Sequence, residues 1–135
     1  IADSLKKSRC LICLWSPLYF QSKWCVAEWE SFVSRCEKFD RELIVPARYF
    51  DGEFYPDLAK DVQSRDFSPY TFNSPRFWDS ELALEFEQKH LRDFAREVAD
   101  AIKSAPEFSE NFPIIEEPDR QRMTQRAKIG RPGND

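Results

Sequence analysis

Glycine is scarce: the 135 residues hold three, two of them within the last six positions. A glycine-rich loop that cradles phosphate with its backbone therefore has nothing to be built from. Histidine occurs once, as His90, so no Ser–His–acid arrangement can be argued. No apolar run approaches the ~20 residues that span a bilayer, and the longest, around Leu11–Trp15, is strand-sized. An excess of positive charge is missing too: the net charge is -4, which does not fit a direct nucleic-acid surface. No membrane partner is expected on these grounds. No signal peptide is visible, and the chain opens on Ile1 rather than Met. A cytoplasmic, reducing location is the expectation.

What is present is ample material for a core. Apolar residues make up 41% and aromatics 15%, with twelve Phe and four Trp. A chain of this length holds one compact domain, or one domain with a tail. The four cysteines are Cys10, Cys13, Cys25 and Cys36. The Cys10-x-x-Cys13 spacing invites a metal or redox reading. Both residues fall in the apolar run Arg9–Trp15, and on a strand an odd separation points them to opposite faces. No second close pair follows. Buried, reduced cysteine and no metal site are therefore expected.

Along the chain, residues 2–8 read as the end of a helix and Arg9–Trp15 as a strand buried on both faces. Ser16-Pro17 breaks that strand, Leu18–Gln21 is expected to be a loop, and Ser22 caps the next helix. That helix runs from Lys23 to about Lys38, with Cys25, Trp29, Phe32, Val33 and Cys36 on one face. Leu43–Val45 is a second strand, stopped by Pro46, and Ala47–Phe54 a loop with a turn at Asp51-Gly52. A short helix over Asp57–Val62, a brief edge strand near Asp66–Ser68 and an aromatic loop over 69–78 follow. A long helix from Asp79 to Lys103 presents Leu84, Leu91, Phe94, Ala95, Val98, Ala99 and Ile102 as its apolar face. Four prolines and few apolar residues mark 106–135 as a weakly packed linker or tail after a domain over 1–105. The alternation implies an α/β fold with a parallel sheet. Two firm strands are few for such a sheet, so further strands are expected before Ile1.

In a parallel sheet the functional crevice lies beyond the carboxyl ends of the strands. The segment Ser16–Ser22 and the start of the following helix occupy that edge. The nearest acid is Glu28, ~85° around the helix from the centre of its apolar stripe. Trp24 lies one turn earlier on the same flank. A glutamate early in a helix is also explained by the helix dipole alone, and a boundary tryptophan by packing. Lys6, Lys7 and Arg9 form a small basic cluster, read as a solvated helix end.

The run SRCLICLWSPLYFQSKWCVAEWESF, from Ser8 to Phe32, resembles Toll/interleukin receptor (TIR) domains, particularly bacterial ones. The matching parts are the strand ending in Ser16-Pro17, Tyr19 with Ser22 after it, and Trp24-Cys25-x-x-Glu28 opening a helix. LIVPARYFDGEFYPDL looks like the family's next strand and loop. The resemblance implies a flavodoxin-like three-layer sandwich with a central parallel sheet, of which this chain supplies the C-terminal half. It also implies an NAD-cleaving enzyme, a nucleosidase or ADP-ribosyl cyclase, with Glu28 catalytic and Trp24 beside the bound dinucleotide. NAD is then the substrate and no cofactor is needed. Implied partners are other copies through TIR–TIR contacts and a sensor domain or partner protein, and the implied setting is bacterial anti-phage defence. The alternatives are a non-catalytic TIR adaptor acting by association alone, and, more distantly, a relative of the nucleoside deoxyribosyltransferases.

Overall fold

The computed structural model describes residues 2–50, 55–60, 62–71 and 74–118. The expected turn at Asp51-Gly52 and the tail beyond residue 118 lie outside these residues. Helix α1 (Ala2–Lys7) leads into strand β1 (Leu11–Trp15), and α2 (Pro17–Gln21) and α3 (Lys23–Phe39) follow. Strand β2 (Ile44–Arg48), α4 (Asp57–Lys60), β3 (Arg65–Asp66) and α5 (Pro75–Trp78) come next. The chain then forms α6 (Glu81–Glu85), a π-helical segment Phe86–Leu91, and α7 (Arg92–Ser104). The sheet is parallel in the order β1-β2-β3, with Ile12 beside Val45 and Leu14 beside Ala47.

Strand alternation sorts the core into two layers. Cys13 and Trp15 point to one face and pack with Val26, Trp29 and Val33 of α3. Val45 and Ala47 point to the other and pack with Phe67, Phe94 and Ala101. Helix α3 thus covers one face and α7 the other, which is the expected α/β arrangement of three layers. Cys10 packs in the α7 layer and Cys13 in the α3 layer, as their odd separation requires.

Several local expectations are corrected. Leu18–Gln21 is not a loop: Pro17 opens a one-turn helix, and the Ser16 hydroxyl accepts from the Tyr19 N–H at 3.3 Å. Pro46 does not stop β2. The Tyr49 N–H donates to Trp15 O at 2.9 Å, so alternate nitrogens face β1 and the Pro46 nitrogen faces the other side. There β3 begins only opposite Ala47, and no donor is missed. The loop over 69–78 contains a 3-10 turn, Ser68–Tyr70, and helix α5.

The face of the long helix is also displaced. Phe94 and Ala101 are buried, with Phe86 and Val98 packed beside them. Leu84, Leu91 and Ile102 are exposed instead. A π turn takes in an extra residue, which brings Phe86 and Phe94 onto one side and rotates the uniform stripe away from the sheet. Strand β1 is not buried on both faces: Ile12 is 48% and Leu14 60% exposed. Helix α7 lies over β2 and leaves the matching face of β1 uncovered.

Residues 106–118 are better packed than a loose tail. They lie along α3, where the Phe112 ring lies against the Arg35 guanidinium and meets Phe39 edge-on. Farther on, the Ile115 N–H donates to Ser31 Oγ at 2.8 Å and Glu117 pairs with Lys23 at 2.7 Å.

Candidate functional site at the carboxyl ends of the strands

The sheet delivers Trp15, Arg48 and Asp66 to one edge as the last residues of β1, β2 and β3. Beneath that edge Trp15 is fully buried. Its indole meets Phe20 at 5.5 Å, Trp29 at 5.8 Å and Tyr55 at 6.3 Å between ring centroids. The Tyr55 hydroxyl bonds Trp15 O at 2.8 Å and Phe50 O at 2.9 Å, tying the segment after β2 to the end of β1. The edge therefore rests on a rigid aromatic floor.

Above it, two serines set the path of the chain. Ser16 caps α2, and the Ser22 hydroxyl accepts from the Cys25 N–H at 3.3 Å to open α3. Tyr19 closes the angle between the two helices. Its hydroxyl donates to Cys25 O at 3.3 Å and lies 3.4 Å from Cys13 Sγ. Burial, with the charges of Cys25 and Glu28 adding to it, pushes the Cys13 thiol up to about 12. Burial, then its neighbours Cys13, Cys25 and Glu28, drive the Tyr19 phenol up as well. Both groups are neutral at physiological pH.

Glu28 is half-buried on the first turns of α3, close enough for its charge to be felt by Tyr19 and Cys13. Trp24 stands one turn earlier and is 62% exposed, so its indole faces solvent rather than the core. Farther along the edge, Arg48 and Asp66 form an ion pair at 3.0 Å. Partial burial raises the Asp66 carboxyl, but hydrogen bonds from the Ser68 hydroxyl and N–H, then Arg48, outweigh it and hold it below the usual range.

The arrangement presents one carboxylate beside a neutral wall of phenol and thiol, with an exposed indole before it and an ion pair across the edge. It can stabilise positive charge on a bound ligand. Sequence reasoning named Glu28 and Trp24 but missed Tyr55, Arg48 and Asp66 as edge residues. The strand-end rule would have pointed to Arg48 had β2 been read through Pro46, and to Asp66 had β3 been placed at Arg65–Asp66. All four cysteines are free, and no cluster of His, Cys, Asp and Glu able to hold a metal occurs among the described residues. No helix among them is long and apolar enough to cross a membrane.

Comparison with protein families matches residues 1–79 to the TIR domain, more than half of the chain. Comparisons with curated proteins and with solved structures give no significant match.

Proposed function

The chain belongs to the TIR domain family, and from that premise we propose that it cleaves NAD at the nicotinamide–ribose bond, with Glu28 as the catalytic carboxylate. The observation that carries this reading is the half-buried Glu28 beside the neutral Tyr19 and Cys13. The nicotinamide ring is a cationic pyridinium while bonded to ribose and departs neutral with the bonding pair, so the leaving group needs no acid. Positive charge develops on the ribose as an oxocarbenium-like centre, and a carboxylate beneath it lowers that barrier. A neutral, partly dry wall offers no competing cation and screens the carboxylate little, so its field on the ribose is strong. Water, or another nucleophile, then completes the reaction. Trp24, on the solvent side of the same flank, supplies a platform for the dinucleotide.

NAD is the substrate on this reading and no cofactor takes part. Activity arises when copies associate through TIR–TIR contacts, in the cytoplasm and under a sensor domain or partner protein. A role in bacterial anti-phage defence follows from the same resemblance. The test is nicotinamide release from NAD by the complete, assembled protein and by Glu28→Ala. A fall of about 10²–10³-fold on substitution is expected, the cost of removing one preorganised electrostatic contact. Undiminished release in the variant would move the chemistry elsewhere.

A second reading, a non-catalytic adaptor, draws on the exposure of Leu18 (74%) and Trp24 at the same edge, which suits a docking surface. Assembled protein that releases no nicotinamide would favour it.

A further inference from the structure

At the opposite pole, around the amino ends of the strands, two adjoining hollows share Ala105 and Pro106 in their walls. The larger is an open hollow of about 460 Å³ and the smaller one of about 130 Å³. Lys103 lines the larger, and Lys6, Lys7, Arg9 and Phe108 line the smaller, so a ligand that meets all of them spans both hollows. Their walls carry six cations and no acid, on a chain whose net charge is -4.

Part of that charge has a structural task. Helices α1 and α7 both end here, and Arg9 Nε donates to Ile102 O at 3.2 Å. The Arg35 guanidinium donates to Ser8 O at 2.8 Å and to Leu5 O at 2.9 Å. Two helix ends amount to about one negative charge, less than the charge of the six cations. The nearest ion pair, Lys6 with Glu110, is 3.7 Å long and its carboxylate is open to solvent. Helix capping therefore does not account for the cluster.

Two further features point to a ligand. Arg35 is 1% exposed and forms part of the wall, yet its Nε has no hydrogen-bond partner among the described residues. Beside it Phe108 stands 54% exposed, an apolar ring on the rim of a cationic hollow.

We propose that this pole binds a small organic phosphate, with its phosphates held by Lys6, Lys7, Arg9 and Lys103 and its flat apolar part lying on Phe108. Pyrophosphate esters of the nucleotide type have the required chemistry: two or three negative charges attached to a ring. Stacking of a base on the phenyl ring adds to the affinity, and the phosphates make binding salt-dependent. The site is distinct from the edge that carries Glu28 and does not rest on the NAD-cleaving reading.

Calorimetric titration of the complete protein with ADP, inorganic pyrophosphate and adenosine tests the assignment. ADP and pyrophosphate should bind at low salt and weaken as salt rises, whereas adenosine should not bind. The double variant K7E/K103E, which spares both capping arginines, should weaken ADP and pyrophosphate about tenfold or more. F108A should bring ADP to the level of pyrophosphate. K7E/K103E should leave nicotinamide release from NAD unchanged, which separates this pole from the carboxyl edge. The proposal is overturned if pyrophosphate does not bind, or if K7E/K103E leaves binding intact. Sedimentation with phosphatidylinositol phosphate vesicles in the absence of ADP binding would overturn the free-nucleotide assignment in favour of a lipid headgroup.

Discussion

Tyr19 is the residue on which the geometry of the carboxyl edge turns. It rises from a single-turn helix, and its hydroxyl reaches across to the first turn of α3, bonding Cys25 O at 3.3 Å. Its ring also meets Phe20 edge-on at 5.2 Å. Removing the hydroxyl as Tyr19→Phe keeps the ring and the aromatic contact but frees α3 from α2 at the point where Trp24 and Glu28 begin. Thermal unfolding should show a loss of about 1 kcal/mol, the usual net worth of one such bond. A variant as stable as the parent would mean that the hydroxyl holds nothing. In the sequence, Tyr19 carried weight only as part of a motif, because its partner is a backbone carbonyl and leaves no mark on residue type.

Among the elements, α3 is the one that the rest of the molecule surrounds. Val26, Trp29 and Val33 meet the sheet, while Ser31 and Arg35 are equally buried on another side. The helical period of its apolar residues does not account for that second burial. The explanation is the segment 106–118, which covers the polar row: the Phe112 ring centroid lies 4.1 Å from the Arg35 guanidinium, and that of Phe32 4.3 Å. Ser31 stays satisfied there by donating to Ala27 O at 2.7 Å while accepting from Ile115. Phe112→Ala should therefore loosen this segment before it unfolds the domain. Limited proteolysis should cut within 106–118 of the variant first. Global stability should fall by less than the ~3–5 kcal/mol typical of a core Phe→Ala, because the strap can open locally. Proteolysis unchanged from the parent would show that Phe112 does not anchor it. The C-terminal end of α3 is legible by contrast: Asp40 adopts a left-handed φ of 50° and its N–H returns to Cys36 O, a conformation that short polar side chains accept.

At the scale of the whole molecule, the sheet is covered unevenly. Helix α3 closes one face over β1, whereas α7 lies over β2 and leaves Ile12 and Leu14 of β1 open. β1 is also the edge strand in the order β1-β2-β3, so apolar side chains and unpaired backbone groups coincide. Such a strand is a template for further pairing. The 135-residue chain on its own should self-associate as its concentration rises, and Leu14→Lys should suppress this, as followed by sedimentation velocity. Chain that stays monomeric at all concentrations would show that this face is harmless. A continuous apolar run reads as burial on both faces, and within these residues only the α3 face of β1 is covered.

Local chemistry was enough for the parallel α/β alternation, the opposed faces of Cys10 and Cys13, and the Ser22 cap. Each depends on residues close in the chain, where period and capping act directly. Pro46 inside a strand, the π turn that rotates the face of the last helix, and the strap over Ser31 and Arg35 were settled by tertiary structure alone. So were the neutral wall beside Glu28 and the gathering of six cations at the far pole. All of these depend on which distant segment lies opposite: a missing donor is harmless only where no partner strand begins, and a thiol loses its acidity only where packing excludes water.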